Sequence, residues 1–190
     1  MNRALEVLKK RGFIKQCTDI ESLSSLLDRE STAFYVGLDP TAPSLHVGHM
    51  VPLFALVHMS KAGHKPIVLT GGGTARIGDP SGKTEMRKML SVEQIQKNAN
   101  AITDQMKDFL NTQNVEATYV DNAEWLAELN YIEFLRDIGV HFSVNRMLSF
   151  ETYKTRLETG LSFIEFNYQL LQSYDFLELN RRYACLLQIG

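Results

Sequence analysis

Short apolar runs alternate with stretches of helical periodicity along most of the chain. Ala33-Phe34-Tyr35-Val36-Gly37-Leu38 and Pro66-Ile67-Val68-Leu69 are nearly continuous in apolar character, the pattern of strands covered on both faces. Between them Met50, Leu53, Phe54 and Val57 recur at helical spacing and Gly63 follows, which predicts a helix over 47–62. Strand, helix and strand in succession form a βαβ unit, with a parallel pair and a right-handed crossover. The pattern then repeats. Ser91-Val92-Glu93-Gln94 reads as a capping box opening a helix with Ile95, Ala99, Ile102, Met106 and Phe109 on one face, and a strand follows over 117–120. Upstream, Thr18-Asp19-Ile20-Glu21 reads as another capping box, before a short amphipathic helix carrying Ile20, Leu23, Leu26 and Leu27. The expected fold class is α/β, a Rossmann-like doubly wound parallel sheet.

After Asp121 the pattern changes. Asn130 is placed to cap a helix with Tyr131, Phe134, Leu135 and Ile138, ending at Gly139, and the signals stay mainly helical to Ser173. Residues 121–161 are therefore read as a helical insertion within one domain spanning 1–190. Leu186-Leu187-Gln188-Ile189-Gly190 reads as a buried strand without a turn, cap or polar tail after it. A sheet incomplete at its C-terminus is the expectation.

Composition narrows the classes. The 190 residues are 44% hydrophobic and 22% charged, as in an ordinary globular chain with one sizeable core. The formal net charge of −2 lacks the basic surplus of a protein gripping a long polyphosphate backbone. Residues 1–13 lack the apolar run of a signal peptide, and no segment is apolar for long enough to span a membrane. Cys17 and Cys185 fit neither a metal spacing nor a disulfide framework, which suits a reduced cytoplasmic setting.

Candidate chemistry lies where strands meet the following turns. Tyr35 to His49 runs from a strand, through a turn rich in Pro and small residues, into a helix near His46. Ligands of open parallel sheets bind at such carboxyl ends, and a helix N-terminus there attracts phosphate. His46 and His49 share a helical face, and Gly48 between them would admit a base or phosphate close to the backbone. The plainer alternative has one histidine capping the helix and the other packed against it. A second cluster, Gly71-Gly72-Gly73 through Ile77-Gly78-Asp79-Pro80-Ser81-Gly82-Lys83, again follows a strand, and its three glycines would let the backbone approach a ligand. Its tail fails the phosphate-loop count, because Gly78 and Gly82 enclose three residues instead of four. Asp79 suits an ammonium partner, since a carboxylate beside glycine away from water needs a cation. Lys83 and Arg87 fit either phosphate contacts or a solvated helix face. The third cluster runs from Phe166 to Asp175. Tyr168 and Gln172 share a helix face there, and Asp175 is read as lying just beyond the helix.

Together, Phe34-Tyr35-Val36-Gly37-Leu38-Asp39-Pro40-Thr41 with His46-Val47-Gly48-His49, the Gly71 to Lys83 segment, and Phe166-Asn167-Tyr168-Gln169-Leu170-Leu171-Gln172-Ser173-Tyr174-Asp175-Phe176 resemble the tyrosyl-tRNA synthetase family of class I. The resemblance runs in order along essentially the whole chain. It implies a tyrosine–tRNA ligase that activates tyrosine with ATP to tyrosyl-adenylate and pyrophosphate, then charges tRNA(Tyr). By that resemblance Tyr35 and Asp175 would read the phenolic hydroxyl of tyrosine, while Asp79, Tyr168 and Gln172 would hold its ammonium group. Gln188 would lie along the tyrosine side. Gly37, Asp39 and Gly48 would belong to the adenylate pocket, and Thr41, His46 and His49 would face the ATP phosphates, with Lys83 and Arg87 near them. Mg²⁺ would accompany the pyrophosphate, and the helical insertion would form a homodimer interface. The family's second lysine signature and tRNA anticodon-binding region are absent, so this length alone is expected to be weak or inactive.

Two rivals remain at this stage. One is another nucleotidyltransferase with His-x-Gly-His, which has no use for a hydroxyl reader at Asp175. The other is a non-catalytic module binding RNA or protein, for which His46, His49 and Asp79 have no chemical purpose.

Overall fold

The computed structural model describes residues 2–79 and 89–190. Strands β1 (Ala33–Leu38), β2 (Lys65–Thr70), β3 (Thr118–Asp121) and β4 (Cys185–Ile189) form one parallel sheet in the order β3-β2-β1-β4. The chain steps outward from β1 to β2 and β3, then crosses back to place β4 on the other side of β1. Strand order therefore reverses beside β1, and a crevice opens at the carboxyl ends of β1 and β4.

Both faces of the sheet are covered, as the continuous apolar strands require. On one face Phe34, Val36 and Val68 pack with α1 (Arg3–Lys10), α2 (Ile20–Arg29), α3 (Val47–Lys61) and α4 (Val92–Thr112). On the other, Tyr35, Ile67, Leu69 and Val120 pack with Trp125 of α5 (Ala123–Leu126) and Leu179 of α9 (Phe163–Tyr183). Strand alternation thus sends Tyr35 to the face opposite Phe34 and Val36. Between α5 and α9 lie α6 (Tyr131–Asp137), α7 (Val144–Leu148) and α8 (Glu151–Thr159), short helices joined by tight turns.

Several local expectations hold to the residue. Ser91 accepts from the Gln94 N–H to open α4, one half of the expected box, since the Gln94 amide turns instead to Asn98; Asn130 accepts from the N–H groups of Ile132 and Glu133 to open α6. Other details differ. Asp19, not Thr18, caps α2. Its carboxylate takes the N–H groups of Glu21 and Ser22 and the Ser22 hydroxyl, three donors that a single threonine oxygen cannot serve equally. In α3 the apolar face is broader than one stripe. Leu53, Ala55, Leu56, Val57 and Met59 are buried, because α1 packs beside the sheet, while Phe54 remains 42% exposed with its ring edge-on to Phe109.

The largest difference concerns α9. It does not end before Asp175 but runs 21 residues to Tyr183. Ser162 and Glu165 form a reciprocal capping box at its start, and Arg156 of α8 grips the Glu165 carboxylate at 3.0 Å, both side chains buried. Asp175 is therefore an interior helical residue, and Leu179 beyond it is wholly buried against the sheet. Tyr168, Gln172 and Asp175 stand at i, i+4 and i+7, on one face of one rigid helix.

Leu56, 0% exposed between α3 and the sheet, tests this packing. Leu56→Ala is expected to cost about 3 kcal/mol. The readout is a lower urea midpoint with unchanged slope, and a loss under about 1 kcal/mol contradicts the assignment.

Candidate active site

The crevice at the switch point is a cavity of about 530 Å³. β1, the turn after it and the start of α3 supply Tyr35, Gly37, Asp39, Thr41, His46 and His49. The β2 turn supplies Gly71, Thr74 and Asp79. Helix α9 contributes Tyr168, Gln172 and Asp175, and β4 contributes Gln188. Residues from all three sequence clusters thus meet around one space. Of the remaining candidates, Gly48 is not among the lining residues, and Lys83 and Arg87 lie outside the described residues.

Tyr35 and Asp175 form the deep end, each only 2% exposed. The Asp175 carboxylate accepts from Trp125 Nε1 at 2.8 Å and from Asn122 Nδ2 at 3.0 Å. Burial lifts its pKa to about 7, and the charges of Asp39 and Asp121 push the same way, while the two hydrogen bonds hold it down. Tyr35 carries a buried hydroxyl with no hydrogen-bond partner among the described residues. Burial drives that phenol well above its ordinary value, with the Asp175 charge adding to the effect, so it stays a neutral O–H. A buried hydroxyl left without a partner is costly, and a polar group on a ligand would satisfy it.

The middle is lined by carboxylates. Asp39 accepts from Tyr168 Oη at 3.1 Å and from Thr74 Oγ1 at 2.7 Å. Burial first, then the Asp39 and Asp79 charges, keep the Tyr168 phenol un-ionised. Tyr168 and Gln172 stand one helical turn apart beside Asp79 on the cavity wall, an arrangement suited to a cation with several N–H donors.

The mouth is formed by the start of α3. His46 is its N-cap, with Nδ1 accepting from the Gly48 N–H at 3.1 Å, and His49 Nδ1 accepts from the His46 N–H at 3.2 Å. The rings stack at 3.7 Å. The capping alternative raised by the sequence is therefore realised, yet both rings still line the cavity. A ring nitrogen that accepts cannot carry the proton, so each neutral imidazole has its proton on Nε2. Burial, with His46 next, lowers the His49 pKa and favours that neutral form. A side chain on Gly48 would press on the His46 ring, its Cβ 2.9 Å from Cε1, so Gly48 makes room here for the imidazole.

The glycine run also serves the protein's own side chains. A Cβ on Gly71 would collide with Asp39 and Thr74, one on Gly72 with Asp121, and one on Gly73 with Leu126 at 2.9 Å. The Gly72 N–H donates to Asp121 Oδ1 and the Gly73 N–H to Asn122 Oδ1, binding the β2 turn to the β3 turn. Helix α4 holds the β1 turn in the same way, with Asn98 donating to the Pro40 carbonyl and Gln105 to that of Pro43.

Asn122, Trp125 and Thr74 were missed by motif reading, although they fix Asp175 and Asp39. Asn122 does follow the third parallel strand at its carboxyl end, which is the positional signal that finds it.

A doubly wound sheet with its cavity at the switch point, helix-capping histidines at the mouth and a buried carboxylate at the base has the architecture of the α/β class that binds nucleotides at the carboxyl ends of its strands. A family model described as tRNA synthetases class I (W and Y) matches residues 27–190, and the chain belongs to that family. The tyrosine–tRNA ligase of Treponema denticola is 64% identical over 190 residues, covering all of this chain and 47% of that protein. The Clostridium tetani tyrosine–tRNA ligase is 58% identical over 189 residues, covering 46% of its length. The chain thus spans a little under half the length of these relatives. A C-terminally truncated Aspergillus nidulans mitochondrial tyrosyl-tRNA synthetase superposes with a TM-score of 0.90 at 31% identity, over 97% of this chain and 56% of that one. An Archaeoglobus fulgidus tyrosyl-tRNA synthetase, solved with L-tyrosine, shares the fold at a TM-score of 0.63 and 21% identity, over 84% and 47% of the two chains.

The raised Asp175 pKa has a definite pH signature. Above about 7 the ionised, desolvated carboxylate works against folding, and that penalty disappears as pH falls toward the unfolded value of 3.8. Its contribution to stability is full below about 4 and lost as pH rises through about 7. Trp125→Phe removes a donor to the ionised form and raises the pKa further. Carboxyl ¹³C NMR titration of Asp175 reads this directly, and an unmoved or lowered midpoint contradicts the assigned hydrogen bond.

Proposed function

We propose that this chain carries the tyrosine-activating site of a tyrosine–tRNA ligase, joining tyrosine to ATP as tyrosyl-adenylate with release of pyrophosphate. In an enzyme of its relatives' length the tyrosine then passes to tRNA(Tyr), in the cytoplasm. The observation that carries this reading is the deep end of the cavity, where the Tyr35 hydroxyl has no partner among the described residues and stands beside an Asp175 carboxylate already held by Trp125 and Asn122. That end fits a phenol.

In this reading the substrate's ring enters first and its O–H donates to Asp175 while accepting from Tyr35. Asp79, Tyr168 and Gln172 take the ammonium, and Gln188 flanks the tyrosine side. The substrate carboxylate, ionised at neutral pH, attacks the α-phosphorus without a protein base. The protein's task is to align the reactants and stabilise the charge that develops on the transferring group. His46 and His49 suit this, with both Nε2–H donors unspent by capping, and they stand at the positive end of the α3 dipole. Thr41 lies at the same mouth and Asp39 in the adenylate region, while Lys83 and Arg87 are assigned near the phosphates by family pattern alone. Mg²⁺ would arrive with the ATP phosphates and neutralise the departing pyrophosphate.

Selectivity follows from unsatisfied polar groups. Phenylalanine would bring no phenolic oxygen to the Tyr35 hydroxyl and no O–H to Asp175, which would keep only its donors from Trp125 and Asn122, the situation for which tyrosine enzymes serve as the general example. Asp175→Ala is expected to remove most of the preference for tyrosine over phenylalanine in ATP–pyrophosphate exchange, and a preference retained in full would refute the assignment. Exchange by this length alone is expected to fall far below that of an enzyme of its relatives' length.

A homodimer is proposed through the short helices after β3. Tyr131, Ile132, Val140 and Val144 are exposed there, an apolar surface that calls for a partner. Replacing Ile132 and Val140 with Glu is expected to shift sedimentation from dimer to monomer. A dimer that survives both changes would locate the interface elsewhere.

A further inference from the structure

Along the cavity wall, a line of side chains joins Asp39, in the middle of the cavity, to the phenol end. Thr74 Oγ1 donates to Asp39 Oδ1 at 2.7 Å and accepts from Asn122 Nδ2 at 3.1 Å. The same Asn122 amide nitrogen donates to Asp175 Oδ2 at 3.0 Å. The direction of each bond is determined by chemistry. Asp39 is an acceptor when ionised, so the Thr74 proton points to it, and the oxygen's lone pairs are left for Asn122. Asn122 Oδ1 is occupied by the Gly73 N–H at 2.7 Å, so the amide cannot flip and both its N–H bonds are committed to Thr74 and Asp175. Thr74 and Asn122 are 2% and 1% exposed, so water cannot substitute for either. The glycines at 71 and 73 are what allow Thr74 and Asn122 into these positions.

From this geometry we infer that Thr74 is a positioning residue that couples the two halves of the site, so that occupation of the adenylate end strengthens binding at the phenol end and the reverse. This rests on the function proposed above, and goes beyond it by assigning a cooperative link to a residue that reads neither substrate's identity. The physical basis is mutual polarisation along a chain of hydrogen bonds in a medium of low dielectric. A ligand group that engages Asp39 competes for its lone pairs with Thr74, whose hydroxyl has an alternative acceptor in the Gly71 carbonyl at 3.3 Å. Any change there alters what Thr74 offers Asn122, and so what Asn122 offers Asp175. Coupling between binding sites is reciprocal, so one measurement bounds both directions.

The test compares tyrosine affinity with and without a non-hydrolysable ATP analogue, by calorimetry, in wild type, Thr74→Val and Thr74→Ser. Valine keeps the volume and removes the hydroxyl, whereas serine keeps the hydroxyl. In Thr74→Val the coupling factor is expected to fall about tenfold, a larger change than in either single-ligand affinity, and Thr74→Ser is expected to retain it. A merely structural role predicts instead parallel loss of both affinities and of thermal stability, with the coupling factor intact, and that result overturns the inference. Absence of coupling in wild type also overturns it. Should this length bind neither ligand, the relay is decided by the ligand-free titration of Asp175. Its midpoint is expected to move by about half a pH unit in Thr74→Val, and an unmoved midpoint counts against the relay.

Discussion

Asp175 is a carboxylate withdrawn from water, and the rest of the site is arranged around the cost of keeping it there. An ion so placed must be hydrogen-bonded or neutralised. Here two donors, Trp125 Nε1 and Asn122 Nδ2, hold it between protonation states, with a pKa of about 7. Each donor comes from the segment immediately after β3, whereas the carboxylate comes from α9. The hydrogen bonds therefore tie the two ends of a long excursion of the chain across one face of the sheet. Arg182 lies over the Trp125 ring at 4.9 Å and bonds Glu178 at 3.0 Å, which fixes the indole that fixes the carboxylate.

The same economy governs the turns. Three parallel strands end side by side, and their three following turns are joined by side chains: Asp39 to Thr74, Asn122 to Gly73, Asp121 to Gly72. Glycines at 71–73 are required because these groups pass where a Cβ would stand. The binding cavity is thus a rigid extension of the sheet, with polar groups facing inward that the protein itself only partly satisfies.

Much of this was legible in the chain. Strands β1 to β3 and helices α3 and α4 follow directly from the period of their apolar positions, and Ser91 and Asn130 announce their helices by type and place. The three motif clusters converge because all lie at strand ends or on the helix facing them. Helix α1 was not anticipated, although Ala4, Leu5 and Leu8 give it a buried face, because charged residues dominate the segment around them. Asp175 was read as a turn residue because an aspartate is a poor helix former, a preference that burial of Leu179 and the partners of Asp175 overrides. The roles of Asn122, Trp125 and Thr74 depend on contacts some 35 to 53 residues away, for which no local spacing exists. At the glycine run, close approach was legible in the sequence, but not that the protein's own Asp39, Thr74 and Asp121 side chains make such approaches.

The central claim is that one cavity reads a phenol at its buried end and an adenylate at its mouth. A crystal structure with a non-hydrolysable tyrosyl-adenylate mimic tests it most directly. The account predicts the phenolic oxygen within hydrogen-bonding distance of Tyr35 and Asp175, the ammonium beside Asp79, and the phosphate analogue facing His46 and His49. A mimic seated outside this crevice, or bound with its phenol toward the histidines, would contradict it.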